Sequence, residues 1–365
     1  MTHLDIRELV EPLNPTHKDS ALVNDMRDLY LHCALHDFGH TDFVPALAGF
    51  QESLMSTQYN VIRSFVVHEN DIIVGALKLV LPQKDNTHLI TIEFVARDNA
   101  RHVLDLLHTT ADSIANDTGR TTFMAWEDHT SEPSADHPNA LEAPTGVGRV
   151  DASDPLIRAH LDHGFTLEQT QRYSVLALPA DPALLHQFES QAAAKAGPEY
   201  ELVSWQDTTP EEFLDGHATL QHAMSTDVPL GDLDITETHY DADRIKQLDA
   251  NVARAGNGYL FVAARHIPSG ELAGFTRVEY EKDRPEGVFQ QETLVRTGYR
   301  GRSLGMWVKA AMLTQLMTVR PGARRLHTWN AGENSYMLDI NVALGFEQHG
   351  TSSAWQKLLQ QPETV

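Results

Sequence analysis

Two hydrophobic periods alternate along the chain, and the alternation is written twice. Runs of strand length, rich in Val, Ile, Phe and Tyr, occupy 61–67, 72–81 and 88–95 in the first half. The second half repeats them at 259–264, 272–280 and 288–295. Short apolar runs of β-branched and aromatic residues are strand signals. The spacing then becomes helical: Leu304, Val308, Ala311, Met312 and Leu316 predict a helix over about 301–318 with one face on a sheet. Its counterpart covers about 100–114. Each helix is followed by a short strand (122–126 and 325–329), a short helix (155–163 and 335–344) and a Gly-Phe pair, Gly164-Phe165 and Gly345-Phe346.

This repeated order predicts a duplicated α/β architecture. Pairing Val95 with Val295 gives an offset of 200 and pairing Gly164 with Gly345 gives 181, so the first copy carries 19 extra residues. They fall on 131–150, a stretch rich in Pro, Gly, Asp and Glu that reads as a surface insertion. The segment around Ala192-Ala-Ala-Lys-Ala-Gly197 reads as a linker with some helix. The predicted division is therefore a first domain at 1–179, a linker at 180–197 and a second domain at 198–365.

Composition narrows the function classes. A chain of 365 residues with 41% hydrophobic and 22% charged content is globular, with room for two cores. Its net charge of −23 disfavours nucleic acid and anionic membranes as partners. The acidity serves solubility first and encounters with cationic substrates such as amines second. No apolar run reaches the ~18 residues of a membrane span. The start at Met1 lacks the basic head and apolar run of a signal peptide. A single cysteine, Cys33, suits a reducing compartment, so a cytoplasmic protein is expected. His32, His36 and His40 recur every four residues, yet Gly39 weakens a helix there and no carboxylate or cysteine set completes a site. No metal is expected. Trp329 and Trp355 read as packing residues.

The stretch that carries chemistry is Thr293-Leu-Val-Arg-Thr-Gly-Tyr-Arg-Gly-Arg-Ser-Leu-Gly-Met-Trp307. A strand end, a glycine-bearing turn and a helix N-terminus make an anion site, because the first helical amides lack partners and the dipole adds positive potential. Gly301 and Gly305 remove Cβ atoms where a diphosphate would approach, and Arg300 and Arg302 add charge. Alone, a short glycine pattern is equally an ordinary strand-to-helix turn.

In context, Arg300-Gly-Arg-Ser-Leu-Gly305 resembles the coenzyme A pyrophosphate loop of the GNAT superfamily, Arg/Gln-x-x-Gly-x-Gly/Ala. The second signature follows at the right distance as Thr328-Trp-Asn-Ala-Gly-Glu-Asn334, Met337, Asn341 and Leu344-Gly345-Phe346. The resemblance covers the whole chain as a fold and about 259–346 as motif, with a looser likeness to tandem proteins of the mycothiol synthase kind. It implies two tandem GNAT domains, each a mixed, mostly antiparallel sheet flanked by helices. It also implies acetyl-CoA as co-substrate. Leu294 and Val295 would hold the pantetheine through backbone groups, and Arg300, Gly301, Arg302, Ser303, Leu304 and Gly305 the diphosphate. Asn330 and Asn334 would line the arm and the start of the next helix.

Two departures from the family pattern stand out. Ser303 occupies the place of the first loop glycine, and Asn341 that of the tyrosine that often protonates the leaving thiolate. The first copy has Ala100-Arg-His-Val-Leu-Asp105 opposite the loop, without glycine and with Asp105 opposite Gly305, so it reads as a scaffold or one wall of the substrate cleft.

The resemblance makes Glu292 the candidate general base; a solvated strand glutamate is the competing reading. Glu279 and Tyr280 are second choices. His222, Asp227, Asp232 and Asp234 lie where the family meets its acceptor, and they equally suit a solvated loop. The implied activity is transfer of an acetyl group from acetyl-CoA to a primary amine of a small molecule by direct attack on the thioester. The alternatives are a non-catalytic acyl-CoA-binding or sensory protein and a protein N-acetyltransferase.

Overall fold

The apolar runs become strands because their alternate residues bury on two helical layers. A computed structural model of the chain describes residues 4–10, 12, 19–227, 229 and 231–359. Two compact units form, and they do not follow chain order. The first takes the described residues within Met1–Gln171, Leu230–Thr236 and Gly350–Val365, and the second takes those within Arg172–Pro229 and Glu237–His349.

The first unit contains β1 (Leu4–Glu8), α1 (Asp19–Phe38), α2 (Leu47–Glu52), β2 (Asn60–Glu69), β3 (Ile72–Pro82) and β4 (Leu89–Ala96). Then come α3 (Arg101–Thr118), β5 (Thr122–His129), β6 (Ala140–Glu142), β7 (Arg149–Asp151), α4 (Pro155–Asp162) and the first half of β8 (Thr166–Ala177). Strands β1 to β4 pair antiparallel in succession, whereas β4 and β5 run parallel from Leu89↔Thr122 to Ile92↔Ala125 only. One face packs on α3 and α4 through Val103, Leu104, Leu107 and Ile157; the other packs on α1 and α2 through Val23, Met26, Leu29 and Phe50. The stretch read as a surface insertion forms the antiparallel pair β6–β7.

The second unit continues with α5 (Pro182–Ala196), β9 (Tyr200–Gln206), α6 (Leu214–Asp227), α7 (Ala242–Arg254), β10 (Asn257–His266) and β11 (Leu272–Glu281). It ends with β12 (Gly287–Val295), α8 (Leu304–Val319), β13 (Arg325–Ala331), α9 (Ser335–Ala343) and the start of β14 (Glu347–Leu358). Its strand order is β8-β13-β12-β11-β10-β9. Each unit is thus a mixed, mostly antiparallel sheet with helices on both faces. Leu304, Val308, Met312 and Leu316 bury on one face, and Leu220, Phe261, Phe275 and Leu294 on the other.

Helix starts follow the sequence chemistry. Asp154 and Asp181 accept amide hydrogen bonds as N-caps with Pro155 and Pro182 behind them, and Asp241 and Asn334 cap α7 and α9. The stretch 180–197 contains α5, which packs in the second unit, and residues 351–358 of β14 run antiparallel to β5 in the first. Trp355 is fully buried there, and Trp329 stacks on Tyr173 with ring centroids 5.1 Å apart in the second unit.

The copies align differently from the offset of 200. Gly75 pairs with Ala96 and Gly274 with Val295, so Ala96, not Val95, matches Val295. The offset is 203 at the helix starts Arg101 and Leu304 and still 203 at Trp126 and Trp329. The first copy's loop is therefore four residues shorter. Asp105 matches Val308, and His102 matches Gly305.

Candidate functional site

Strands β12 and β13 pair in parallel at Gly287↔Arg325, Val288↔Leu326 and Phe289↔His327, and no further pair continues the ladder. Beyond that point β12 also carries a bulge: Arg277 faces Glu292 while Val278 faces Gln290, leaving Gln291 unopposed. A bulge twists and bends its strand. The result is an open gap between β12 and β13 next to the start of α8.

The backbone of β12 turns one residue toward that gap. Arg296 donates its amide to Ala273 O, 3.0 Å, so the alternation of an antiparallel ladder points Leu294 at β11 and Val295 away from it. The Val295 carbonyl accepts from Arg300 Nε at 3.0 Å. Leu294 instead buries its side chain against α6.

Between β12 and α8 the chain makes a 3-10 turn at 297–299 and then two left-handed residues, Gly301 (φ 84°) and Ser303 (φ 59°). Ser303 is the N-cap of α8 without a side-chain cap bond. The Trp307 amide donates to Ser303 O at 3.0 Å. Among the described residues no protein acceptor meets the six successive amides from Gly301 to Met306. The two glycines differ in duty. A Cβ on Gly301 would meet open space, so that glycine serves the positive φ; a Cβ on Gly305 would lie 3.3 Å from Ile340 Cδ1, so that one serves close packing of α8 on α9. Leu304 is buried in the core under the turn.

Asp227, at the end of α6, accepts from Thr297 Oγ1 at 3.0 Å and lies 3.6 Å from Arg300, so it anchors the turn. Arg302 leans over the Tyr200 ring at 5.8 Å.

On the α6 face, Glu292 Oε2 accepts from Gln221 Nε2 at 3.1 Å and stands 3.8 Å from Arg277. Its side chain is 23% exposed, so it is reachable and still positioned. Gln221 continues into a buried polar chain: His217, Thr209, Tyr259 and Asp249 follow at 3.5, 3.0, 3.3 and 2.8 Å. Burial lowers the His217 pKa to about 3, so the imidazole is neutral. Glu279 is occupied by Arg277 and Asn257, and Tyr280 lies in the core on the α8 side.

Asn341 is buried on α9, and its Nδ2 donates to Asn330 Oδ1 at 2.6 Å, while its own Oδ1 has no donor. Asn334 spends its side chain accepting from the Met337 amide at 3.3 Å. The expected acceptor-facing acids divide. His222 pairs with Glu237 at 2.6 Å, but Asp234 binds Thr122 Oγ1 at 2.9 Å in the first unit, to which the segment holding Asp232 also belongs. Segment pairing, invisible in a one-dimensional reading, assigns both aspartates to the first unit.

Sequence reasoning missed Gln221, whose polar position on α6 carries no distinguishing signal. It also missed Lys309, where a lone lysine inside Val308-Lys-Ala-Ala-Met312 was a readable one. Its Nζ lies 3.4 Å from Gln290 Oε1 and 5.3 Å from the Phe346 ring centre, and burial lowers its pKa to about 7.

The first unit has no comparable loop. At the start of α3, Arg101 donates to Asp105 and Asp162, both at 2.8 Å, and His163 meets Asp105 at 3.2 Å. Its shorter loop is a 3-10 turn at Arg97–Asn99 with one left-handed residue, Asp98 (φ 52°), where the second unit has Gly301 and Ser303.

Among the described residues no three ligand side chains converge to hold a metal ion, and no helix is long and apolar enough to cross a membrane. No protein-family model matches the sequence, and no curated protein matches it. Solved structures do match. A tandem GNAT protein from the clavulanic acid biosynthesis pathway, determined without AcCoA, is 21% identical with a TM-score of 0.74, covering 99% of this chain and 100% of its own. A GCN5-related N-acetyltransferase from Sphaerobacter thermophilus is 12% identical with a TM-score of 0.61, covering 99% and 98%. A glucosamine N-acetyltransferase region of a fungal multi-domain GH3 β-N-acetylglucosaminidase is 10% identical with a TM-score of 0.59, covering 98% of this chain and 38% of that one. The strand order of each unit, the splayed parallel pair and the whole-length match place the chain in one architecture: it has the tandem GNAT fold.

Proposed function

We propose that the chain is a cytoplasmic N-acetyltransferase that moves an acetyl group from acetyl-CoA to a primary amine of a small molecule, with the coenzyme site in its C-terminal copy. The observation that carries this reading is the run of six amides, Gly301 to Met306, with no protein acceptor at the head of α8. Such amides at a helix N-terminus suit a diphosphate. The residues present fit the coenzyme in a second respect. The orphan Oδ1 of Asn341 is a buried acceptor, and a pantetheine arm brings amide N–H donors.

Acetyl-CoA, when bound, supplies an activated acyl carbon. The protein's own part is positioning, proton transfer and charge. Arg300 to Met306 would hold the diphosphate, and Val295, Asn330 and Asn341 would face the arm. Glu292, held by Gln221, accepts the proton of the incoming amine on the α6 face. Its exposure to that face and the chain's net charge of −23 both suit a cationic acceptor.

A panel of primary amines with acetyl-CoA, read by release of free thiol, tests the reaction. Gly301→Glu adds bulk at φ 84° and a negative charge at the anion site. It is expected to abolish coenzyme affinity in a calorimetric titration while thermal unfolding stays cooperative. Unchanged affinity would remove the site.

Asn341 favours a second reading. Its amide donates to Asn330 and supplies no titratable proton for a leaving thiolate, which suits a non-catalytic acyl-CoA-binding protein. Tight coenzyme binding without thiol release, unaltered by Glu292→Gln, would select that reading.

A further inference from the structure

In an unbroken strand, residues two apart share one face. On β12, Val288 and Gln290 bury toward α8, whereas Glu292 and Leu294 lie toward α6. The extra residue at the bulge, Gln291, causes the change of face; without it Glu292 would follow Gln290 to the α8 side. Whatever holds that bulge therefore decides where the candidate base points.

One buried side chain spans it. The Gln290 Nε2, with two hydrogens, lies 2.7 Å from Arg277 O, 2.8 Å from Thr276 Oγ1 and 3.2 Å from Glu292 O. Thr276 Oγ1 also meets Thr293 Oγ1 at 2.8 Å. The amide nitrogen thus grips the backbone opposite the bulge and the backbone beyond it. It can do so only while the amide oxygen faces the other way, and there Lys309 Nζ stands 3.4 Å from Oε1. An amine has a hydrogen for that oxygen whether it is charged or neutral. Among the described residues no carboxylate pairs with Lys309, so no ion pair offsets its burial in the α8 core.

The first copy is an internal control. Its β3–β4 ladder runs through Lys78↔Glu93 and Leu79↔Ile92 with no extra residue. Aligned on Gly75 and Gly274, Thr276 matches Leu77, and Gln290, the partner of Val278, matches Ile92, the partner of Leu79. Aligned on the helix starts Arg101 and Leu304, Lys309 matches Leu106. All three counterparts are apolar, and Leu77 and Ile92 are buried in the core. The polar set accompanies the bulge, and hydrocarbon replaces it where the strand is regular.

We propose that Gln290 and Lys309 are positioning residues for the acyl transfer: Lys309 orients the Gln290 amide, which pins the β12 bulge and so directs Glu292 to the α6 face. This role rests on the acyl-transfer reading, whereas the pinning is a property of the free chain and is read without coenzyme.

Two variants of the full chain remove the pin from its two ends. Lys309→Met deletes the group that orients the amide. Gln290→Glu keeps a partner for Lys309 and deletes the donors to the bulge. In both, hydrogen–deuterium exchange of the coenzyme-free chain is expected to quicken several-fold in peptides covering Gly287–Val295, with β10 unchanged. Lys309→Met should do this while its unfolding temperature near pH 7 rises, a combination that a merely structural lysine does not give. With an amine that the unaltered chain acetylates, kcat should fall roughly tenfold to a hundredfold in both variants, and the KM for acetyl-CoA should stay the same. Unchanged exchange in both variants overturns the pinning. Quickened exchange with kcat intact overturns the positioning role. An unaltered chain that releases no thiol with any amine sinks the acyl-transfer reading and the catalytic role with it, and the exchange data decide the pinning independently.

Discussion

Ser303 shows how far one residue can depart from the conformation its side chain prefers. A left-handed backbone costs a non-glycine residue about 1–2 kcal/mol, and Ser303 sits there at φ 59° without using its hydroxyl as a cap. Ser303→Gly should therefore stabilise the protein by roughly 0.5–1 kcal/mol, seen as a rise in the denaturant midpoint, with coenzyme affinity retained. The sequence disclosed the substitution at this place but not the torsion, because nothing in the letters says which loop residue turns left-handed. Lys309 was legible in a different way, as a charge inside an apolar helical run. Its amine titrates ordinarily at 10.5 and in the fold at about 7. Between these values the unfolded chain holds one more proton, so this residue makes stability rise as pH increases from about 7 to about 10. Lys309→Met should raise the unfolding temperature near pH 7 and flatten that dependence, measured as melting curves of both proteins across the interval. An unaltered slope would show that the amine is charged in the fold.

At the scale of elements, strands β2 to β5 and β10 to β13 and helices α3, α4, α8 and α9 were readable from period alone, since alternate burial and helical stripes are what build a layered α/β unit. Helix α1 was not read, although its buried positions Val23, Met26 and Leu29 are apolar, with Asp19 buried at its start. The loop before α8 was readable as a glycine-bearing turn into a helix, yet its partner loop before α3 was misaligned by a register that only strand pairing reveals. With four residues fewer, that loop keeps a 3-10 turn at Arg97–Asn99 but holds no glycine, and Arg101 and Asp105 serve each other. Replacing both with alanine should leave coenzyme affinity unchanged; a large loss would revive a second coenzyme site. On the α6 face the candidate base was readable and its holder was not. Glu292→Gln is expected to lower kcat by ~10²–10⁴ with little change in the KM for acetyl-CoA. Gln221→Ala should give a smaller loss and a displaced pH profile, since it removes positioning and leaves the carboxylate.

At the scale of the whole molecule, the duplication was legible and the chain's route was not. Apolar patterns identify strands without saying which sheet receives them, so β14 read as the end of the second copy although residues 351–358 pair with β5 of the first unit. Trp355 makes this energetically concrete: it is fully buried in the first unit's core with Phe123 and Phe165. Trp355→Ala should cost about 3–5 kcal/mol, and denaturant unfolding should show the loss in the first unit.

The position of β14 also sets an order of events during synthesis. Domains of growing chains ordinarily finish in the sequence in which they leave the ribosome. Here β5, made early, waits with one edge open until more than two hundred further residues have been added, because its neighbour at Thr351–Leu358 is the last described strand to be translated. A premature stop anywhere in the second half would thus release a nascent chain with an uncovered sheet edge near its beginning, a substrate for chaperones and a seed for aggregation.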